Sequence, residues 1–435
     1  MKSQTTRRRL LQASGGALAS VSLLRTGSIG RGAAARQATI EIRAAGFVES
    51  QDQLRQTLAV LEAYTAQHPE VAIQPEFTDY GSYTDRLATE AAGGNAPDLM
   101  SANADIMGEY SRRGVIRPLD EYVPDPIDLS DYAEGTVVGN TIDGSLFGIP
   151  NDCISPSLVY DTTVFAEAGI TVPEQMWTWE EYAQLATDLS AAMGEGFYGT
   201  EDGGGSYIMA DVFFRGMGKE FYSADRNLGF TEEDLTAWYD FWQQLRESGG
   251  TPPGDVQALA TGDDLSRTGL IAGRAAILPQ LTDTFVGLQN LTENPLGLHM
   301  VPNGFDGDTL EQHLYTYAGN SSSISAQTEH ADVVIDIISF MHSDPEGSAI
   351  FYSGSGMIPA AAAGREALRA EGSPGEITAL DYIELILPST APPRNPAVAG
   401  VSPILGRMNE EVAFGRLTTA EAAAQFFAEA ASRIS

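Results

Sequence analysis

The side chains best suited to holding a ligand stand in segments whose pattern reads as loops between strands and helices. They include the carboxylates and amides Glu49, Asn103, Asp105, Asn151, Asp152, Asp283 and Asn320. A carboxylate offers acceptors and an amide offers both donors and acceptors, so such a set can bridge neighbouring hydroxyls on one ligand. Phe47, Tyr207 and Phe285 lie in the same segments, and an aromatic face can take up the C–H face of a ring. This is chemistry of recognition. Residues for bond breaking are harder to find. His68, His299, His313, His330 and His342 show no H-x-x-x-H spacing, and Cys153 is the sole cysteine, so no zinc centre is expected. No G-x-S-x-G elbow occurs; Gly354-Ser355-Gly356 has only a superficial likeness to one. With 59 acids, some pair will fall ~5–9 Å apart by chance, so acidity alone does not indicate a glycosidase.

Composition narrows the classes further. The chain has 435 residues, enough for two or three domains and a large core. Lys+Arg is 25 against Asp+Glu 59, a net charge of −34. That balance argues against binding nucleic acid or adhering to an anionic membrane, both of which need a basic surface. The first 35 residues differ from the rest. Thr6-Arg7-Arg8-Arg9-Leu10-Leu11-Gln12 resembles a twin-arginine export motif, a mild Ala/Gly/Ser-rich run follows, and Ala33-Ala34-Ala35 offers a small-residue cleavage site. That run is too short and too mild to span a bilayer. Cleavage there would remove six of the basic residues and leave 19 against 59 acidic. No lipid-attachment cysteine stands near the cleavage region, so a chain free of a membrane anchor after cleavage is expected. A monomer that needs no cofactor is a separate expectation.

The elements that must position the loop residues follow from periodicity. Residues 38–45 alternate as a first strand, and Leu54, Leu58, Leu61 and Tyr64 mark one face of a helix over 53–67. Residues 71–77 are a second strand, kept from a central place by Pro75. A helix over 83–92, a strand near 96–100 and a helix over 105–113 continue the alternation, which is the start of an open parallel α/β sheet. Asp143-Gly144 is a tight turn, and Leu158-Val159-Tyr160 reads as a buried strand. Asp161 caps a short helix ended by Gly169, and Thr178 with Glu181 forms a capping box. Beyond Tyr182 the pattern is mainly helical. Leu235, Trp238, Tyr239, Trp242 and Leu245 share one helix face, a core stripe rather than a ligand platform. The glycine-rich loop 199–206 is followed by no lysine and is not a nucleotide loop. Residues 314–324 are expected as a returning strand, 331–342 and 418–434 as amphipathic helices, and 388–396 as a proline-rich connection.

Several motifs stand in a fixed order: Gly94–Leu99 ("G-x-x-P-D-L"), Gly114–Asp120, Asp143–Pro150 ("D-G-x-x-F-G-I-P"), Leu158–Asp161, Phe165–Ile170 ("F-x-x-A-G-I"), Thr178–Glu181 ("T-W-E-E") and the Gly356–Pro359 return. In that order they resemble extracellular solute-binding proteins of the sugar-binding family 1 type (maltose-binding-protein-like), the ligand-capturing subunits of ABC importers. The resemblance implies an α/β, two-lobed periplasmic-binding-protein fold. Each lobe would be an open, mostly parallel sheet flanked by helices, with a hinge between the lobes. Residues 38–152 plus 314–352 would form the N-terminal lobe, and 153–313 plus 353–435 the C-terminal lobe. Chain crossings are expected near Pro150 and Pro359 and between Pro279 and Tyr317.

Ligands of open α/β sheets bind beyond the carboxyl ends of strands, which puts the residues named at the outset around the cleft. Asp105 falls where the family places a sugar-binding acid; Ala102 stands where some members have a tryptophan. The implied ligand is a carbohydrate, captured by closure and delivered to a membrane permease in the periplasm or outside the cell. Arg43, Arg215, Lys219 and Arg274 are the basic residues expected near the cleft loops, which favours a neutral ligand. Open alternatives are a secreted carbohydrate-active enzyme, a binding protein feeding a chemosensor, and a polyol or glycerol phosphate as ligand.

Overall fold

The structure, a computed structural model, describes residues 40–223, 225, 227–260, 264–307, 310–389, 391 and 400–434. The export segment expected over 1–35, and most of the proline-rich connection, lie outside them. The strands are β1 (Ile40–Phe47), β2 (Val71–Thr78), β3 (Leu99–Ala102), β4 (Thr141–Ile142), β5 (Ser145–Leu146), β6 (Ile149–Pro150), β7 (Pro156–Asp161), β8 (Tyr198–Thr200), β9 (Ala275–Leu281), β10 (Leu296–His299) and β11 (Ser321–Ile324). One sheet has the order β2-β1-β3-β11-β6, a second β10-β7-β9-β8, and β4-β5 form a small hairpin.

Local chemistry explains most of the first sheet. β2 lies at its edge, as Pro75 requires, since a proline has no N–H for a second ladder. Ser50 caps the helix Gln51–Gln67 by accepting from the Gln53 N–H. That helix buries Thr57, Val60, Leu61 and Tyr64 and leaves Leu58 39% exposed, so its inner face is rotated from the expected leucine stripe. β11 is central although it reads Ser-Ser-Ser-Ile. Its hydroxyls are all satisfied: Ser321 Oγ accepts from Asn140 Nδ2 at 2.7 Å, Ser322 Oγ donates to Asn151 Oδ1 at 2.9 Å, and Ser323 Oγ donates to Phe147 O at 2.8 Å. The strand expected over 314–324 is shorter because residues 314–320 turn through a crossing before joining the sheet.

Strand direction departs from the expectation of mostly parallel sheets. β2-β1-β3 are parallel, but β11 runs antiparallel to both β3 and β6. In the second sheet only β8-β9 is parallel; β10-β7 and β7-β9 are antiparallel. The reason is connectivity. β1 to β3 follow one another through crossover helices, which dictate parallel pairing, whereas β7 and β11 enter from the other sheet and are under no such constraint.

The second sheet carries the larger core. Thr231 and Asp234 close a capping box at the start of the helix Glu232–Glu247, whose Leu235, Trp238, Tyr239, Trp242 and Leu245 are all buried, as the stripe predicts. Trp179, Phe213 and Trp238 meet edge to face at centroid separations of 5.1–5.8 Å. The C-terminal helices Ser402–Ala413 and Thr419–Ile434 pack on the same core through Leu405, Met408 and Phe426.

Three segments pass side by side between the sheets. The Cys153 N–H donates to Ile358 O at 2.8 Å, and Ile154 and Tyr317 exchange both backbone bonds, at 2.9 and 3.0 Å. Asp152 forms an isolated bridge with Pro359. Met357 belongs to the core of the first sheet and Ile358 to that of the second, so this strand of chain changes sides within one residue.

Candidate functional site

The crossing segments form the floor of a cavity of about 540 Å³ whose walls come from both sheets. On the first side the walls are the starts of three helices that follow β1, β2 and β3. Glu49 and Asp52 flank the Ser50 cap, Asp79 caps the helix Tyr80–Ala92 by accepting from Ser82 N–H at 2.9 Å, and Asn103 caps Ala104–Arg112. Asn103 Oδ1 accepts from Ile106 N–H, while its Nδ2 donates to the Tyr80 hydroxyl at 3.2 Å. On the second side stand Tyr207, the first residue of a helix capped by Ser206, and the turn Thr282–Thr284 after β9, which carries Asp283. Asp152, Tyr317 and Gly319 belong to the floor.

Of the residues singled out in the sequence, Phe47, Glu49, Asn103, Asp152, Tyr207 and Asp283 line this cavity. Phe47 does so with only 3% of its surface exposed, because Tyr80 lies edge-on against it at 5.2 Å. The open aromatic face on that side is therefore Tyr80, 39% exposed, which the sequence reading missed. Phe285 is fully buried in the core of the second sheet and presents no face to the cavity. Asn151 and Asn320 lie behind the floor. Asn151 accepts from Ser322 Oγ, and the Asn320 backbone N–H bonds Asp152 Oδ1 at 3.1 Å. They hold the crossing together instead of facing the cavity. Asp105 lies in the helix Ala104–Arg112, and its side chain is outside the described residues. Asp52, Asp79, Gln280 and Asn290 also line the cavity and were not foreseen.

The electrostatics are one-sided. Glu49, Asp52, Asp79, Asp152 and Asp283 all line the cavity, and none of the described lining residues is Lys, Arg or His. Three of the four bases expected nearby are engaged elsewhere, Arg43 with Glu76 and Glu90, Arg215 with Asp211, and Lys219 with Asp234; Arg274 does not line the cavity. Asp152 is 5% exposed. Burial, with Glu49 adding repulsion, pushes its carboxyl up to about 7 even though Oδ1 accepts the Gly319 N–H at 2.7 Å and the Asn320 N–H. Asp283 is likewise raised to about 7, by burial and then by Glu49 and Asp152. Part of its surface remains open, but Oδ1 is enclosed and accepts no hydrogen bond. Among the described residues no group of three or more His, Cys, Asp and Glu has the arrangement to hold a metal ion, and no helix is long and apolar enough to cross a membrane.

The family of bacterial extracellular solute-binding proteins matches residues 59–367. A binding protein of Brucella abortus is 23% identical over 200 residues; the match spans about half of each chain, 45% of this one and 47% of that one. The sn-glycerol-3-phosphate-binding periplasmic protein of Escherichia coli is 22% identical over 340 residues, 74% of this chain and 75% of that one. Among solved structures, an extracellular solute-binding protein family 1 member from Alicyclobacillus acidocaldarius is 25% identical with a TM-score of 0.70, covering 92% of this chain and 99% of its own. A periplasmic oligogalacturonide-binding protein of Yersinia enterocolitica, solved with digalacturonic acid, has a TM-score of 0.79 at 18% identity, covering 91% of this chain and 98% of its own. Those full-length superpositions give the two-lobed α/β fold, and the family match over more than half the chain gives its kinship. The protein belongs to the bacterial extracellular solute-binding family.

Proposed function

We propose that the protein captures a carbohydrate in the 540 Å³ cavity, closes its two lobes around it, and presents the closed form to an ABC permease. One observation carries the ligand class. The cavity is walled by carboxylates, amides and hydroxyls with exposed aromatic surface at Tyr80, and it contains no cationic side chain among the described residues. Carboxylates and amides can bridge vicinal hydroxyls, and Tyr80 and Tyr207 can cover a ring face. The relative that binds glycerol phosphate and the structure that holds digalacturonic acid both have anionic ligands by name. An anion placed here would meet five lining carboxylates and no cationic side chain among the described lining residues, so a ligand without negative charge is favoured.

In this reading, residues 38–152 plus 314–352 move against 153–313 plus 353–435, and the three crossing segments flex. A ligand that contacts both walls binds the closed state better and shifts the population towards it. The protein acts as a monomer, returns its ligand chemically unchanged, and is exported through the twin-arginine route. The test is a thermal-shift screen of the protein lacking residues 1–35 against mono- and oligosaccharides, polyols and glycerol phosphates. A ligand at a hundred times its Kd adds roughly 2.7 kcal/mol. A carbohydrate that shifts the melt and is recovered intact supports the proposal. A shift by glycerol phosphate alone removes the carbohydrate, and consumption of the ligand removes the binding-protein role.

A further inference from the structure

Behind the floor lies a second, smaller cavity, about 20 Å³ in the measure that gives 540 Å³ for the first. Its walls come from β1, β2, β3, β11, the helix Gln51–Gln67 and the crossing residues Asn151 and Asn320. Gly46 of β1 keeps the space open: a Cβ there would stand 2.1 Å from Ser101 Oγ and 2.8 Å from the Phe77 ring. Gln53, Thr57, Ser101, Asn151, Asn320 and Ser322 line the cavity, each at least nine-tenths buried, and none of the described lining residues is charged.

The hydrogen bonds around this space are incomplete. Ser322 Oγ donates to Asn151 Oδ1, and Gln53 Oε1 accepts the Glu49 N–H. Gln53 Nε2, however, reaches only the Met357 sulfur, a weak acceptor. Asn320 Nδ2 lies 3.4 Å from Phe47 O, and Asn151 Nδ2 lies 3.5 Å from Asn320 Oδ1, both at the long limit of a hydrogen bond. The hydroxyls of Thr57 and Ser101 bond none of the described residues, although both residues are buried. Buried polar groups are costly without a partner, which is either protein or ordered water. One water needs roughly 10–15 Å³ in this measure and 2–4 polar partners, and two would need about twice that space.

We propose that this cavity is a binding site for a single long-lived water molecule, held by Thr57, Ser101 and the Asn320 amide. A hydroxyl can donate or accept, and the amide has a donor and an acceptor to spare, so the three can saturate one water. The helix that carries Thr57 starts at the Ser50 cap on the wall of the ligand cavity, and Asn320 holds Asp152 on its floor. The water therefore ties wall to floor, whatever ligand the larger cavity takes.

Two measurements on the protein test this. A crystal structure that resolves ordered solvent should show one water within ~2.7–3.2 Å of at least two of the three side chains. Native-state hydrogen exchange then compares Thr57→Val, which removes the hydroxyl at nearly constant volume, with Thr57→Ser, which keeps it. Thr57→Val should speed exchange of the Asn151 and Asn320 amides about fivefold or more and leave the β7 and β9 amides within about twofold of wild type. Thr57→Ser should match wild type throughout. Ser101→Ala offers the same comparison from the opposite wall if Thr57→Val does not fold. Thr57 and Ser101 hydroxyls bonded to protein groups, with no water between them, would overturn the site. An exchange change spread evenly over both sheets, or no change at all, would overturn the tie to the crossing.

Discussion

Replacing Asp152 with asparagine should make the unliganded protein more stable at alkaline pH, although it removes a hydrogen-bonding carboxylate from the floor of the site. The Asp152 carboxyl titrates near 7 in the folded protein, against 3.8 for an ordinary aspartate. A raised carboxyl favours the neutral form when folded. The unfolded chain ionises above pH ~4 and the folded one only near 7, so the group's contribution to stability falls as pH rises through that window and is flat above it. The full penalty is about 4 kcal/mol, from three pKa units at ~1.4 kcal/mol each. Between pH 5 and pH 8.5 the change is about 3 kcal/mol. Asparagine keeps an acceptor oxygen for the Gly319 and Asn320 N–H groups and removes the charge. At pH 5, where the folded Asp152 carboxyl is itself protonated, the variant should lie within ~1 kcal/mol of wild type. At pH 8.5 it should be the more stable by about 2–3 kcal/mol. Loss of the charge also relieves Asp283, which acts in the same direction. Urea unfolding at both pH values, followed by tryptophan fluorescence and circular dichroism, measures this. A difference between variant and wild type that does not change with pH, or that moves against the variant as pH rises, would refute the reasoning.

The remaining expectations test packing, recognition and the thiol. Gly199→Ala would put a Cβ 1.9 Å from the backbone oxygen of Ala186; neither backbone can yield cheaply, so a loss of about 2–3 kcal/mol is expected in urea melts, at the high end of overpacking costs. Tyr80→Ala should weaken ligand binding about tenfold, the worth of one aromatic contact, while Tyr80→Phe keeps most of the affinity because the ring stays and the hydroxyl that accepts from Asn103 goes; titration calorimetry decides, and equal losses in both variants would refute stacking. Cys153 is fully buried and its thiol is pushed up to about 12 by burial; an aromatic disulfide reagent at pH 8 should leave it untouched in the native protein and label it only as fast as the protein opens.

What was legible in the sequence was whatever a few adjacent residues decide among themselves. The Thr178–Glu181 capping box is present with both reciprocal bonds, and Asp161 caps a helix that Gly169 ends in a left-handed conformation. Asp143 and Gly144 both take positive φ in their turn, and Pro75 marks an edge strand. The serine-rich β11 and the antiparallel second sheet were less legible. Both depend on where the chain crosses between the sheets, which no local pattern encodes. The site was half legible for the same reason. Placing a residue in a loop beyond a strand does not say which way its side chain turns, so Asn151, Asn320 and Phe285 were grouped with Asp152 and Asp283 although they face away. Asp79 and Tyr80 were missed, yet the signal existed: they immediately follow β2, as Glu49 follows β1 and Asn103 follows β3, and the rule that points to one strand end points to all three.

Charge shows the limit most clearly. A net charge of −34 reads as a solvated acidic surface, and for most of the acids that reading stands, because exposed carboxylates in water repel one another weakly and salt weakens that further. Two of them are different because the fold takes Asp152 out of water at the floor of the cavity and partly encloses Asp283, from positions more than a hundred residues apart. Their residue types are the same as on the surface; what changes is the dielectric around them and the lack of a nearby cation. A composition count cannot separate the two populations. Burial can: Asp152, 5% exposed on the floor of the cavity, has its carboxyl pushed up to about 7, while acids of the same type on the surface stand in water.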